Sequence, residues 1–370
     1  MVSPGLSTVP AVVTVAGLVA ADGVRAAVDA LLDDFLKRKV TTAVAKGLPE
    51  EVPCVLKDFL RDGGKRIRPA LCVLGWQAGG GGALKGAVVQ VAASLEMFHA
   101  FALIHDDLMD HSDIRRGKPS VHRRLAARHH EAGRTREEAD MLGAAGALLV
   151  GDVALAWAGE LLHSAGLPAR RLVAALARTD RMRTEVMYGQ YMDLLATGRP
   201  NPCTTKSLKI ARYKTAGYTI EHPMLLGAEL AGADQSLVGA LTAYGRAAGE
   251  AFQLRDDLLG VFGRPDVTGK PNLDDLREGK QTLLLSLAYR MADPAQLRVL
   301  RRYAGDPLLD EHGAARLREV LRSSGAQTAV EQQVETRSRQ AVEALQRVSL
   351  PLHVAEQLRN FAQALSHRPA

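Results

Sequence analysis

Two short clusters of carboxylates stand out before any element is placed. The first lies in HDDLMDHSDIRRGKPSVH, residues 105–122, where Asp106 and Asp110 are four positions apart. On a helix, side chains at i and i+4 leave the same face about one turn from each other. Like charges so placed repel, and here they close an apolar stretch where water relieves less of the repulsion. A hard divalent cation would relieve it: Mg²⁺ takes one or two carboxylates and completes its shell with water and substrate phosphates. The second cluster, Asp256-Asp257 in FQLRDDLLGVFG, begins 150 residues after Asp106, again at the end of an apolar stretch. Two such ends facing across a cavity, with metals between them, would grip a polyanion. An EF-hand is excluded, because its alternating oxygen ligands and central glycine are missing.

Cations gather around the same segments. GGKRIRP, residues 63–69, sets Lys65, Arg66 and Arg68 beside two glycines and a proline. Arg115, Arg116 and Lys118 follow the first acidic cluster directly, and Lys214-Thr215, Lys270 and Lys280 come further on. Arginine forks match diphosphate oxygens bidentately, and lysine adds a mobile point charge. A DDxxD alone more often marks a solvated helix end. The pairing with a second cluster and a set of cations is what points to a diphosphate.

Helices must position these groups, since strand patterning is nearly absent. Val24, Val28, Leu31, Leu32 and Phe35 form one stripe with Asp29, Asp33 and Asp34 opposite, the pattern of an amphipathic helix. Residues 83–109 and 139–164 are apolar nearly all round and rich in Ala and Gly, as expected of helices in the centre of a bundle. Further helices are predicted over 169–195, 206–231, 236–261, 273–292 and 326–348, separated by breakers at 79–82, 166–168, 198–202 and 264–271. The chain has 370 residues, 47% hydrophobic and 24% charged, with net charge +6. That composition suits an ordinary globular protein and excludes a wholly disordered one. Three cysteines without a CxxC spacing exclude a disulfide scaffold and a thiolate zinc site, and point to the cytoplasm. Residues 1–20 read as a flexible extension and 21–370 as one helical domain. The uncharged stretch 3–21 lacks the basic start of a secretory signal, and no membrane span is expected.

Taken in order, GGKRIRP, DDLMD followed by RRGKP, KTA, and FQLRDD followed by GK resemble the trans-isoprenyl diphosphate synthases, the polyprenyl synthetase family, over roughly residues 25 to 365. The resemblance implies an all-α fold: a single large orthogonal helical bundle around a deep central cavity, usually a homodimer. It implies Mg²⁺ as cofactor, three ions with substrate bound. Asp106 and Asp110 then resemble the metal ligands of the first motif and Asp256 that of the second, with Asp107 and Asp257 auxiliary. Lys65, Arg68, His99 and Arg116 resemble the isopentenyl diphosphate site. Arg115, Lys214, Thr215, Gln253, Lys270 and Lys280 resemble the contacts to the allylic diphosphate. Among these Asp106, Asp110, Asp256, Lys214, Lys270 and Arg115 would carry catalysis. One departure matters: the second motif reads Asp256-Asp257-Leu258-Leu259-Gly260, so glycine stands where the family pattern has its last aspartate.

The implied reaction is head-to-tail condensation of isopentenyl diphosphate with dimethylallyl, geranyl or farnesyl diphosphate. The allylic carbon–oxygen bond ionises, the isopentenyl double bond attacks the cation, and a proton is lost, with the departing diphosphate as base. In that family, bulk at the fourth and fifth positions before the first motif sets the floor for the growing chain. Here these are Ala102 and Phe101, one small and one aromatic, a pattern resembling geranylgeranyl diphosphate synthases. A farnesyl or longer polyprenyl product is the alternative, and core packing the plain role for Phe101. A class I terpene cyclase needs no isopentenyl site, yet GGKRIRP and Arg116 are present. A non-catalytic synthase subunit conflicts with the retained acidic motifs. Nucleic-acid binding is poorly supported, because aromatics are only 4% of the chain and the Arg-rich run 115–136 also holds Glu131.

Overall fold

The computed structural model describes residues 22–84, 86–198, 202–263 and 273–367. The expected extension at 1–20, and Lys270, lie outside the described residues.

The amphipathic stripe near the start forms α1 (Asp22–Ala45), burying Val24, Val28, Leu32 and Phe35. Two short helices follow, α2 (Glu51–Arg61) and α3 (Ile67–Ala78), with the GGKR segment between them. The first acidic motif ends α4 (Gly86–Met109). Then come a two-stranded hairpin, β1 (Ile114–Arg115) and β2 (Lys118–Pro119), and helices α5 (Val121–Glu131), α6 (Arg136–His163) and α7 (Ala169–Ala196). α6 starts on a capping box in which Thr135 and Glu138 satisfy each other's backbone N–H groups.

The stretch predicted as one helix over 206–231 is continuous but changes register. α8 (Thr204–Ile210) passes into a π-helical segment, Ala211–Glu221, and then into α9 (His222–Ala231). α10 (Gln235–Phe262) ends on the second acidic motif. The predicted 273–292 helix is instead two, α11 (Asp274–Glu278) and α12 (Leu283–Met291), because Gly279 takes a left-handed φ of 61° that stops the first. The C-terminal helices are α13 (Pro294–Tyr303), α14 (Glu311–Ser323), α15 (Ala326–Leu345) and α16 (Leu352–His367). The fold is all-α, as the sequence predicts.

Buried apolar side chains fall into two clusters. One unites α1, α2, α4, α6 and α7 around Leu56, Leu95, Phe98 and Leu161. The other unites α10, α12 and α14–α16 around Leu241, Tyr244, Leu284 and Phe361. Helices α3 and α9 contribute to both, through Leu71 and Met224 on one side and Cys72 and Leu226 on the other. Their backbones meet closely: a Cβ at Gly75 would strike the Met224 carbonyl, and one at Gly227 the Cys72 carbonyl. The two acidic motifs therefore end helices belonging to different clusters.

One expectation is corrected. The apolar helix at 86–109 is a core helix, with 72% of its most apolar window buried, but α6 has only 33% of its own buried. Both are long and apolar enough to cross a membrane by composition alone. Met141, Leu148 and Leu149 of α6 are exposed, so small residues such as Gly143 and Ala147 pack one side inward while the other side stays open.

Candidate active site

The acidic motifs are joined by lysines. Asp106 Oδ1 lies 3.1 Å from Lys214 Nζ, and the same ammonium donates to Asp193 Oδ2 at 2.6 Å. Asp110 Oδ2 lies 3.1 Å from Lys280 Nζ, which also meets Glu278 at 2.9 Å and Asp275 at 3.7 Å. On α10, Gln253 donates to Asp257 Oδ1 at 2.6 Å. Asp257, Asp275 and Lys280 line one cleft. Lys280 thus pairs with the first motif and lines the same cleft as Asp257 of the second.

Burial raises the Asp106 carboxyl, but Lys214, Lys280 and Arg115 outweigh it and hold the group down at about 2. Burial likewise works against the Lys214 ammonium, and Asp106 with Asp193 reverses it, so Lys214 stays charged. Arg115 forks onto buried Asp107, its Nε donating at 2.8 Å, and reaches Asp106 at 3.4 Å. Arg115 can take this position because residues 114–119 form a tight hairpin. Arg116 and Gly117 have φ of 55° and 74°, the paired left-handed values of a two-residue turn that matches strand twist.

A second group gathers beside the first. Arg116 donates to the Gly63 carbonyl, and Lys118 pairs with Asp62, tying the hairpin to the GGKR segment where exposed Lys65 sits. Arg68 donates to Thr219 Oγ1 at 2.7 Å and lies over the Tyr218 ring, 4.2 Å from its centroid. The Tyr218 hydroxyl is 3.3 Å from His99 Nδ1. Burial, with Arg68, Arg116, Arg115 and Arg66 around it, drives His99 well below the usual histidine value, so the ring is neutral at pH 7. Arg66, left-handed at φ 49°, is buried on Glu96 and Asp29, each at 2.7 Å, and on the Leu60 carbonyl.

Lys214 and half-buried Thr215 sit in the π-helical segment, which α7 and α10 approach closely. A Cβ at Gly189 would strike the backbone of Tyr213 and Lys214, and one at Gly249 would crowd Ala216. π-helical stretches are rare and occur frequently at functional sites. Of the residues named from sequence, Asp106, Asp107, Asp110, Arg115, Lys214, Gln253, Asp257 and Lys280 belong to the first gathering, and Asp256 ends the same helix as Asp257. Lys65, Arg68, His99 and Arg116 belong to the second. Asp193, Asp275, Glu278, Tyr218, Thr219 and Glu96 were not found from sequence, since no local motif marks them.

The donor set fits Mg²⁺. Asp106 Oδ1 is buried and accepts no hydrogen bond of good geometry. Among the described residues no three His, Cys, Asp or Glu side chains are grouped so that they could hold a metal ion by themselves. Hard carboxylates that leave most of an ion's shell to water and phosphate are what Mg²⁺ uses.

Residues 49–349 match the family described as Polyprenyl synthetase. The chain belongs to that family. It is 34% identical over 310 residues to a (2E,6E)-farnesyl diphosphate synthase of Mycobacterium bovis, covering 83% of this chain and 80% of the relative. It is 33% identical over 262 residues to a geranylgeranyl diphosphate synthase of Methanosarcina mazei, covering 71% and 72%. A crystal structure of geranylgeranyl pyrophosphate synthase from Corynebacterium glutamicum, complexed with isoprenyl diphosphate and magnesium, superposes with TM-score 0.86 at 37% identity over 92% of this chain and 99% of that one. The protein is a trans-prenyl diphosphate synthase, and the resemblance read from its motifs is borne out.

Proposed function

We propose that this enzyme condenses isopentenyl diphosphate head-to-tail with an allylic diphosphate and releases all-trans geranylgeranyl diphosphate. The observation that carries the reading is the bridging of Asp106 to α7 by Lys214 and of Asp110 to α11 by Lys280, which gathers carboxylates and cations at the end of α4. Asp106, Asp110 and Asp256 would hold Mg²⁺, which would supply Lewis-acid charge to the leaving diphosphate. Lys214, Arg115 and Lys280, now neutralising carboxylates, are placed to donate to its oxygens as it departs. Thr215 and Gln253 orient it, and Lys270 belongs with them by its place in the motif. Asp107 and Asp257 are auxiliary, the former fixing Arg115. Lys65, Arg68, His99 and Arg116 hold isopentenyl diphosphate. A neutral His99 donates one N–H without adding to an already positive pocket, leaving charge neutralisation to the arginines.

Product length is read from the wall above Asp106. Phe101 is buried, its ring tilted against Phe98 with centroids 5.4 Å apart and edge-on to His105 at 4.7 Å, and small Ala102 beside it is half-buried. One aromatic and one small residue support a floor at twenty carbons. The Phe98–Phe101 pair, together with the mycobacterial farnesyl synthase relative, favours fifteen carbons as the second reading. Chromatography of products made from isopentenyl diphosphate with each allylic primer and Mg²⁺ tests both. The twenty-carbon product is expected for the wild type and longer chains for Phe101→Ala. A fifteen-carbon end product rejects the assignment, and an unchanged distribution in the variant removes Phe101 as the floor.

The exposed apolar residues of α6, with Tyr188, Tyr191 and Leu195 on α7, support a homodimer in which a second copy covers them. The free cysteines Cys54, Cys72 and Cys203 support a cytoplasmic setting.

A further inference from the structure

The second acidic motif has glycine at position 260, so α10 carries no carboxylate one turn beyond Asp256. The space beside that glycine is already taken. A Cβ built on Gly260 would fall inside 3.0 Å of Asp275 Oδ2, closer than real Cβ contacts come, and 3.2 Å from its Cγ. Asp275 arrives from α11, fifteen positions further along the chain. Its other oxygen faces Lys280 at 3.7 Å, the lysine that also meets Asp110 at 3.1 Å. The short helix is pinned from behind: Arg277 Nε and Nη2 both donate to the Leu309 carbonyl, at 3.0 and 2.9 Å, and Gly305 N donates to the Leu276 carbonyl at 2.9 Å. Asp275 therefore has a fixed seat against the bare face of α10, in the same cleft as Asp257 and Lys280.

We propose that Asp275 supplies the carboxylate which position 260 lacks, helping to hold the metal–diphosphate from the second-motif side, and that the missing side chain at Gly260 makes its seat. The acidic set on this side is then split between two helices, α10 giving Asp256 and α11 giving Asp275. This rests on the reading that the site takes diphosphate with Mg²⁺.

Gly260→Ala is the discriminating variant. It changes no charge and removes a glycine from a helix interior, so on helix propensity alone it stabilises the protein. If Asp275 is needed where it sits, the new methyl displaces it. The readout is the Mg²⁺ concentration at which inorganic pyrophosphate gives half its maximal rise in melting temperature, measured on the full chain. Gly260→Ala and Asp275→Asn are each expected to raise that midpoint by about 10- to 100-fold, the range for losing a group that supports a metal site. Gly260→Ala is expected to do so without lowering the melting temperature of the ligand-free protein. Combining the two is expected to add little, because both remove the same carboxylate. A wild-type midpoint in either single variant overturns the proposal. Absence of any Mg²⁺-dependent shift in the wild type instead overturns the reading of the site, and this inference with it.

Discussion

Asp257 and Asp106 face opposite electrostatic fates. Three cations hold Asp106 ionised, whereas burial, joined by Asp275, Asp256 and Asp193, pushes Asp257 up to about 8, against the hydrogen bond from Gln253. The folded chain therefore keeps a proton on Asp257 that the unfolded chain, at the ordinary value of 3.8, gives up. The stability from that proton is complete below about pH 4 and is lost as pH rises to about 8. In buffers without divalent metal, the melting temperature of the wild type should fall more steeply from pH 5 to 8 than that of Asp257→Asn; parallel curves would refute the assignment. These carboxylates were legible in the sequence because each sits in a short acidic motif at the end of an apolar stretch. Asp193, whose ion pair with Lys214 links α7 to the π-helical segment, was not, because it stands in no recognisable pattern.

At the scale of elements, hydrophobic periodicity located the long helices α4, α6, α7, α10 and α15 to within a few residues, whereas α2, α3, α5, α13, α14 and α16 were not placed from sequence. What it missed depends on packing. Residues 211–221 have nothing in their composition that demands a wider helix, and the π register accompanies close approach by α7 and α10. The split of the predicted 273–292 helix depends on Gly279, an obvious stop in hindsight and hidden by the apolar run after it. The burial of α6 was overestimated because an apolar helix with small residues reads the same whether both flanks are covered or one. The π-helical segment yields a test. Gly189→Ala drives a methyl into the backbone at Lys214, so it should destabilise the fold by about 1–3 kcal/mol, the usual cost of overpacking. Its condensation rate should fall as Lys214 shifts. Denaturant unfolding and steady-state rates check this, and a variant as stable and active as wild type would show that the contact yields freely.

For the whole molecule, the two hydrophobic clusters act as two supports with the reactive groups at their junction. α4 delivers the first motif from one cluster and α10 the second from the other, with α3 and α9 shared between them. Such a site stays aligned only while both supports are in place. The open apolar flank of α6 is then a structural liability unless covered, since exposed patches of this kind mark interaction surfaces. Sedimentation at micromolar concentration should give twice the mass of the chain, and Leu149→Glu should shift the equilibrium towards single chains. A monomeric wild type would refute the dimer.

If carboxylates from both supports grip one departing diphosphate, removing one from either side must slow condensation. Incorporation of labelled isopentenyl diphosphate into allylic product is measured for the wild type, Asp106→Ala and Asp256→Ala, all with saturating Mg²⁺. Each substitution should lower turnover at least about a hundredfold, the scale of losing one preorganised charge stabiliser. Near-normal condensation by both folded variants would contradict the account.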